Sequence, residues 1–386
     1  YSPVKHPERL IERRNMILGK MLKAKKITQE EYNEAVASKI SSDRSSMQQY
    51  STDYYIEHIR LYLERKYGTE KLFEGGLRIY TPLDAELSVY ADSVLNRYLS
   101  KIEQSYPPAM RYSNVSKNSV DINTRYLQGG LLLMDNNTGH VLAMIGGRNF
   151  THSKYNRITQ AKRQPGSSIK PTYYTAALEK GYTPATVIID SPITLTGGDG
   201  KEWTPQNFSR QYYGPTRMRT AITYSYNVWA VKAVMDIGLD VVNDAFLRFG
   251  INTKAADYSA ALGAYEVTPL NLISAFTTFP NGGYRTKPIF ITRVEDMNGK
   301  VLERSATSKY QVTSPEVAFL MTSMLQSVVT SGTGAAARNN YYWQAAGKTG
   351  TSSDHRDAWF IGFNKKYTLG IWNGFDNNAA ISASAS

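Results

Sequence analysis

Apolar and polar positions alternate with a helical period over the first sixty-odd residues of the chain. In PERLIERRNMILGKMLKAKKI, Leu10, Ile11, Met16, Ile17, Leu18, Met21 and Leu22 recur at mixed spacings of three and four, with cations on the opposite face. Thr28 and Glu31 in TQEEYNEAV have the spacing of a capping box, which starts a second helix. The polar tract SKISSDRSSMQQYS reads as a connector, and a third helix is expected from Thr52 to Lys66. At Gly75 the period changes. A short alternating strand, a Thr-Pro-Leu-Asp turn and a long amphipathic helix follow in GGLRIYTPLDAELSVYADSVLNRYLSKI, and RYSNVSKNSVDINTRY reads as a loop.

From Leu127 the pattern becomes that of strands. The apolar runs GGLLLMD and VLAMIGG flank NNTGH, whose Asn and Gly supply the positive φ of a tight turn, so a β-hairpin opens the main domain. Further strands are expected near 345–351, 357–363 and 366–373. No internal repeat is visible, and AAISASAS reads as a frayed tail. No apolar run approaches the roughly 18 residues of a membrane span, so any membrane anchor is expected outside this chain.

Composition narrows the class. A chain of 386 residues with 41% apolar and 12% aromatic residues is long enough for two or three packed domains. A formal charge of +12 favours an anionic partner, whether polymer or lipid surface, although no nucleic-acid-binding module accompanies it. Zero cysteines excludes disulfides, thiolate metal sites and a cysteine nucleophile. The histidines, at positions 6, 58, 140, 152 and 355, show no metal-ligand spacing, and neither metal nor cofactor is expected.

Candidate chemistry is concentrated in QPGSSIKPTYY, residues 164–174. Pro171 is tolerated only in the first turn of a helix, which places the helix start near Ser167 or Ser168. Ser167 then sits at the positive helix end, with Lys170 three residues on and on the same face. A lysine with a lowered pKa can take the proton of a serine nucleophile. Ser2-Pro3-Val4-Lys5 repeats the spacing, so the motif alone decides nothing. Ser225-Tyr226-Asn227 and a single Lys-Thr-Gly, Lys348 to Gly350, follow in order; a second Ser-x-Asn, Ser116 to Asn118, precedes the nucleophile.

Ser-x-x-Lys, Ser-x-Asn and Lys-Thr-Gly in this order resemble the motif set of penicillin-binding proteins and class A β-lactamases. YNRITQAKRQPGSSIKP, WTPQNFSRQYYGPTRMRTAITYSYN, ALGAYEVTPLNLISAFTTFPNGGYRTKP, VVTSGTGAAA and DAWFIGF resemble blocks of class A, bifunctional penicillin-binding proteins in that family's order, over nearly all of residues 127–376. SPVKHPERLIERRNMILGKMLKAKKITQEEYNEA resembles the last helices of that family's glycosyltransferase domain, without its acidic catalytic blocks.

The resemblance implies three regions: a helical glycosyltransferase remnant at 1–50, a linker region at 51–126 and a penicillin-binding transpeptidase domain at 127–386. The implied fold is α+β and serine β-lactamase-like. A five-stranded antiparallel sheet with flanking helices would be joined by an all-helical lobe at about 168–280.

The resemblance also assigns roles. Ser167 is the nucleophile on the D-alanyl-D-alanine bond of a stem peptide, and Lys170 is the base. Ser225 relays the proton to the departing amine, and Asn227 bonds Lys170 and the substrate amide. Lys348 depresses the pKa of Lys170 and attracts the substrate carboxylate, which also meets Thr349 and Thr351. Gly350 admits the substrate backbone, and the amides of Ser167 and Thr351 form the oxyanion hole. Trp359 is expected in the core, and His355 and Arg356 as solvated loop residues.

The implied partners are stem peptides and β-lactam antibiotics, with lipid II and cell-wall synthesis proteins for a parent held at the extracytoplasmic face of the bacterial membrane. Alternatives are a penicillin-recognising sensor, a scaffold without turnover, and a β-lactamase.

Overall fold

The computed structural model describes residues 7–38, 52–107, 110–116, 119, 124–196, 200, 202–339 and 341–381. The Ser2-to-Lys5 match, most of the polar connector, the 117–118 and 120–123 parts of the loop and the last five residues lie outside them. Contacts divide the chain into two compact units, 1–50 and 51–386.

The first unit is a helix pair, α1 (Pro7–Lys23) and α2 (Gln29–Ala37). Both halves of the expected capping box form: Glu31 N–H donates to Thr28 Oγ1 at 3.2 Å, and Thr28 N–H to Glu31 Oε2 at 2.7 Å. Arg14 ties the helices by donating to the carbonyls of Ser38 and Val36, at 2.7 and 2.9 Å.

In the second unit α3 (Asp53–Tyr67) is followed by β1 (Arg78–Tyr80) and α4 (Ala85–Ile102). Asp84 caps α4 by accepting from Leu87 N–H at 2.9 Å. The expected hairpin is β2 (Gln128–Asp135) and β3 (Val141–Ile145), turned at Gly139 with φ +77°. A single 3-10 turn, Gly166–Ile169, leads into α5 (Lys170–Glu179), with Pro171 in its first turn. Lys170 to Leu178 are all buried, which makes α5 the central helix of the unit. Then come α6 (Asn227–Ile237), β4 (Arg293–Glu295), β5 (Val301–Arg304), α7 (Pro315–Thr330) and the strands β6 (Ala346–Thr351), β7 (Asp357–Phe363) and β8 (Tyr367–Gly374).

The main sheet is five-stranded and antiparallel, in the order β6-β7-β8-β2-β3. One face packs against the helical lobe through Tyr173, Tyr174, Trp229, Phe276, Trp359 and Trp372. Leu95 and Leu99 of α4 cover the other with Leu131, Ile145 and Phe375. The lobe at 168–280 is not all-helical as expected. Val187–Asp190 pairs with Gly214–Arg217, and Leu195–Thr196 with Glu202–Trp203. Val187 and Ile189 point to solvent at 50% exposure while Asp190 is buried, a two-residue period that suits a ribbon on the lobe surface.

Residues 51–126 do not form a compact unit of their own. β1 joins β4 and β5 in a second sheet of order β1-β4-β5, and Leu63 of α3 packs on Ile291 and Val294 beneath it. Between α4 and the main sheet lies a buried ion pair, Arg148 with Glu103, at 2.7 Å and 0% and 3% side-chain exposure. Glu103 also accepts from Leu127 N–H at 3.0 Å, and the Arg148 guanidinium lies 4.4 Å over the Tyr112 ring. Removing one member of a buried pair strands the other charge. Glu103→Ala is therefore expected to lower stability by about 3–5 kcal/mol, and Glu103→Met with Arg148→Met by clearly less. Urea unfolding followed by tryptophan fluorescence measures both, because all five tryptophans lie in the second unit.

Candidate active site

Ser167 lies half-buried in the 3-10 turn ahead of α5, held by close backbone approaches. Gly166 has φ +52°, and a Cβ there would fall 2.2 Å from the Thr351 carbonyl oxygen. A Cβ on Gly350 would come within 2.5 Å of the Pro165 carbonyl oxygen and 2.9 Å of Ser168. The side of Gly350 on which a Cβ would stand is therefore taken up by the turn that carries Ser167. Both glycines let β6 and this turn meet with no side chain between them.

Lys170 is fully buried on the first turn of α5. Its ammonium donates to Ser225 O at 2.7 Å, Asn227 Oδ1 at 2.8 Å, Tyr226 O at 3.1 Å and, at 3.4 Å, Ser225 Oγ. Lys348, equally buried on β6, donates to Ser225 Oγ at 2.9 Å and to Thr349 O at 3.0 Å. The Ser225 hydroxyl thus bridges two amines. Among the described residues neither amine forms an ion pair.

Burial without a counter-charge disfavours both ammonium forms. It pushes the Lys348 amine down to about 7. Lys170 is held well below the ordinary lysine range, first by burial and then by the charge of Lys348. The three oxygen acceptors around Lys170 oppose this, since together they satisfy every proton of an ammonium. Lys170 becomes a proton acceptor only when it gives up a proton together with one of these acceptors.

Ser225 has φ +61°, a left-handed conformation costly for a non-glycine residue. It turns the chain between the Met218–Thr223 helix and α6, so that Ser225 O, Tyr226 O and Asn227 Oδ1 converge on one amine. Hydrogen bonds thus join Lys170, Ser225, Asn227, Lys348 and Thr349, and the close approaches at Gly166 and Gly350 bring the turn of Ser167 against the same strand, β6, next to Thr351. Thr349 is half-buried and Thr351 exposed on β6. Trp359 is 4% exposed and donates from Nε1 to Gln164 O at 2.9 Å, which makes it core as expected. His355 is half-buried beside the ring of Phe208, with centroids 5.8 Å apart, and Arg356 pairs with Asp354 at 3.1 Å.

Two residues escaped the sequence reading. Thr333 shares a 2.6 Å hydrogen bond with Thr349 through their hydroxyls. Asn207 accepts from the amides of Asn227 and Val228, at 2.7 and 3.3 Å. Each falls inside a block quoted above for its resemblance, but neither belongs to a spacing that announces chemistry.

No group of three or more His, Cys, Asp or Glu side chains that could hold a metal ion occurs among the described residues. No helix among them is long and apolar enough to cross a membrane.

Residues 129–372 match the model of the penicillin-binding protein transpeptidase domain. Penicillin-binding protein 1A of Aquifex aeolicus is 31% identical over 440 residues, covering 97% of this chain and 60% of that protein. Penicillin-binding protein 1A of Neisseria meningitidis serogroup A is 30% identical, covering 97% and 59%. The chain thus spans about three-fifths of the length of these relatives. Among solved structures, penicillin-binding protein 1A from Haemophilus influenzae superposes with a TM-score of 0.79 at 23% identity, over 99% of this chain and 74% of that one. PonA1 from Mycobacterium tuberculosis in complex with penicillin V gives 0.68 at 21% identity, over 86% and 85%. The five-stranded sheet with its flanking lobe is the fold of that group, and the chain belongs to the penicillin-binding protein transpeptidase family.

Proposed function

We propose that the chain is a serine D,D-transpeptidase that crosslinks peptidoglycan stem peptides and is acylated by β-lactams. The observation that carries this reading is the buried, carboxylate-free pair Lys170 and Lys348 joined by Ser225 Oγ, one short turn from Ser167. Ser167 Oγ attacks the carbonyl carbon of the penultimate D-alanine, and its proton passes to neutral Lys170. Amides of Ser167 and Thr351 receive the developing oxyanion; the close approach of Gly166 to Thr351 supports that pairing. The C–N bond then breaks, and Ser225 hands a proton from the lysine pair to the departing D-alanine amine. An ester on Ser167 remains. The amine of a second stem peptide restores an amide and completes the crosslink, whereas water gives carboxypeptidase activity.

Lys348, Thr349 and Thr351 hold the terminal carboxylate of the substrate, and Asn227 adds a bond to its amide. Thr333, bonded to Thr349, fixes that hydroxyl. A substrate lying along β6 as an added strand fits this strand's place at the end of the sheet order. Residues 1–50 are read as the last helices of a glycosyltransferase domain, 51–126 as linker and 127–386 as the transpeptidase. The parent would then also polymerise lipid II at the extracytoplasmic face of the membrane.

Penicillin is expected to add to the intact chain with its full mass, at Ser167, and to remain bound. Mass spectrometry before and after labelling measures this, and label retained in full by Ser167→Ala would remove Ser167 from the reaction. Rapid turnover of benzylpenicillin would instead indicate a β-lactamase.

Lys170→Ala is expected to slow acylation by several orders of magnitude without unfolding, and Lys170→Arg to rescue little, because a guanidinium does not give up its proton at working pH. Near-normal acylation of the arginine variant would move the base elsewhere.

The pair also sets a pH dependence. Both amines are depressed by burial, so acylation should rise with pH through an acid limb well below the ordinary lysine range as the pair sheds its first proton. The Lys348 charge lowers the pKa of Lys170. Removing it in Lys348→Gln should let Lys170 keep its proton to higher pH and move the limb upward. Acylation rate constants across pH 5–9 test the sign.

A further inference from the structure

We propose that Asn207, anchored by Asp190, is a positioning residue of this acyl transfer: it caps α6 from outside the helix and thereby sets the distance between Asn227 and Lys170. The inference rests on the acyl-transfer reading above.

The residue before α6, Tyr226, makes no side-chain cap bond, so the helix does not satisfy its own first amides. Asn207 does so from a loop twenty residues earlier. Its Oδ1 accepts from Asn227 N–H at 2.7 Å and from Val228 N–H at 3.3 Å. Its Nδ2 donates to Asp190 Oδ2 at 2.8 Å and to Gln211 O at 2.9 Å. Asp190 Oδ2 also accepts from Tyr213 N–H at 2.9 Å. Both side chains are buried, at 3% and 1% exposure. An asparagine amide with both ends engaged in this way cannot rotate without stranding a buried partner.

The same loop holds the side chain of Asn227. Asn227 Nδ2 donates to Gln206 O at 2.9 Å, which fixes which end of its amide faces Lys170. Asn227 Oδ1 then accepts from Lys170 at 2.8 Å. A continuous chain runs from Asp190 through Asn207 and Asn227 to the base. Two of the other Lys170 acceptors, Ser225 O and Tyr226 O, are carbonyls of the residues just before the capped amides. Losing the cap therefore loosens the placement of all three acceptor residues, Ser225, Tyr226 and Asn227, together with the left-handed turn at Ser225.

A second feature points the same way. Asp190 Oδ1 is buried with no hydrogen-bond partner among the described residues. Asp190 keeps an unsatisfied oxygen in the interior while its other oxygen secures Asn207 and Tyr213. An apolar side chain there would strand the Nδ2–H of Asn207 and the amide of Tyr213, so the unsatisfied oxygen accompanies the hold that Asp190 keeps on Asn207.

The test is acylation by a fluorescent penicillin, with the first-order acylation constant and the non-covalent dissociation constant measured separately. Asn207→Ala is expected to lower the acylation constant about 10- to 100-fold, with the dissociation constant changed by no more than about twofold. Because Asn207 acts through Asn227, adding Asn207→Ala to Asn227→Ala should cost less than about a further twofold. A merely structural residue would give additive losses and would weaken both constants. Asp190→Asn, which keeps the side-chain volume, should reproduce the effect in milder form, and it carries the test should Asn207→Ala fail to melt cooperatively.

Unchanged acylation in folded Asn207→Ala, or in Asp190→Asn where that variant carries the test, overturns the proposal, as do additive losses with Asn227→Ala. These outcomes are distinct from failure of the underlying reaction. If the parent chain takes no label, or Ser167→Ala keeps it, both readings fall together; if labelling depends on Ser167 but not on Asn207, only the positioning role falls.

Discussion

Two buried amines with no carboxylate partner among the described residues, Lys170 and Lys348, are the constraint around which the second unit is built. An isolated ammonium in a protein interior is expensive, and two of them joined through one hydroxyl are more so. The chain meets this cost with backbone rather than acid: three of the acceptors of Lys170 and Lys348 are main-chain carbonyls, of Ser225, Tyr226 and Thr349. Carbonyls stabilise the proton without neutralising it, so the amines remain depressed and exchangeable. A carboxylate in the same position would raise both pKa values and hold the protons firmly.

That choice explains why the surrounding elements are so tightly specified. Carbonyl acceptors can be aimed only by fixing the backbone. Ser225 is held in a left-handed conformation, α6 is capped by a distant side chain, and α5 is buried along nearly its whole length. The β6 strand reaches the turn of Ser167 because Gly350 and Gly166 leave no Cβ in the gap. Strain and missing side chains weaken local structure, and the packing of Tyr173, Tyr174 and Trp229 against the sheet offsets them.

Much of this was legible in the sequence, for reasons that differ by element. The capping box at Thr28, the Asp84-capped helix and the hairpin at Asn136 to His140 are local, and their signals lie within a few residues of one another. Pro171 located the turn of Ser167 because proline forbids a helix interior there. The motif order singled out Ser167, Lys170, Ser225, Asn227 and Lys348 to Thr351, and resemblance supplied their expected roles. What stayed hidden was non-local. The pairing of β1 with β4 joins residues more than two hundred positions apart, and nothing in either short strand names its partner. Short surface ribbons in the lobe have too few residues for a period to show, so the sequence at Val187–Asp190 does not announce its strand. Asn207 is one asparagine in a polar loop, and its meaning exists only once α6 is placed beside it.

The left-handed serine shows why a motif can be recognised and still not be derived. Ser-x-Asn spacing puts a hydroxyl and an amide two residues apart, but in a regular helix those side chains would point some 200° apart around the axis. Only because the chain reverses at Ser225, before α6 begins at Asn227, do both groups face the same amine. The spacing is therefore the signature of a helix start rather than of a helix face. The bonds that fix the first amides of α6 therefore also bear on how Asn227 meets Lys170, and the Asp190–Asn207 contact that makes them lies outside the three motifs read from sequence.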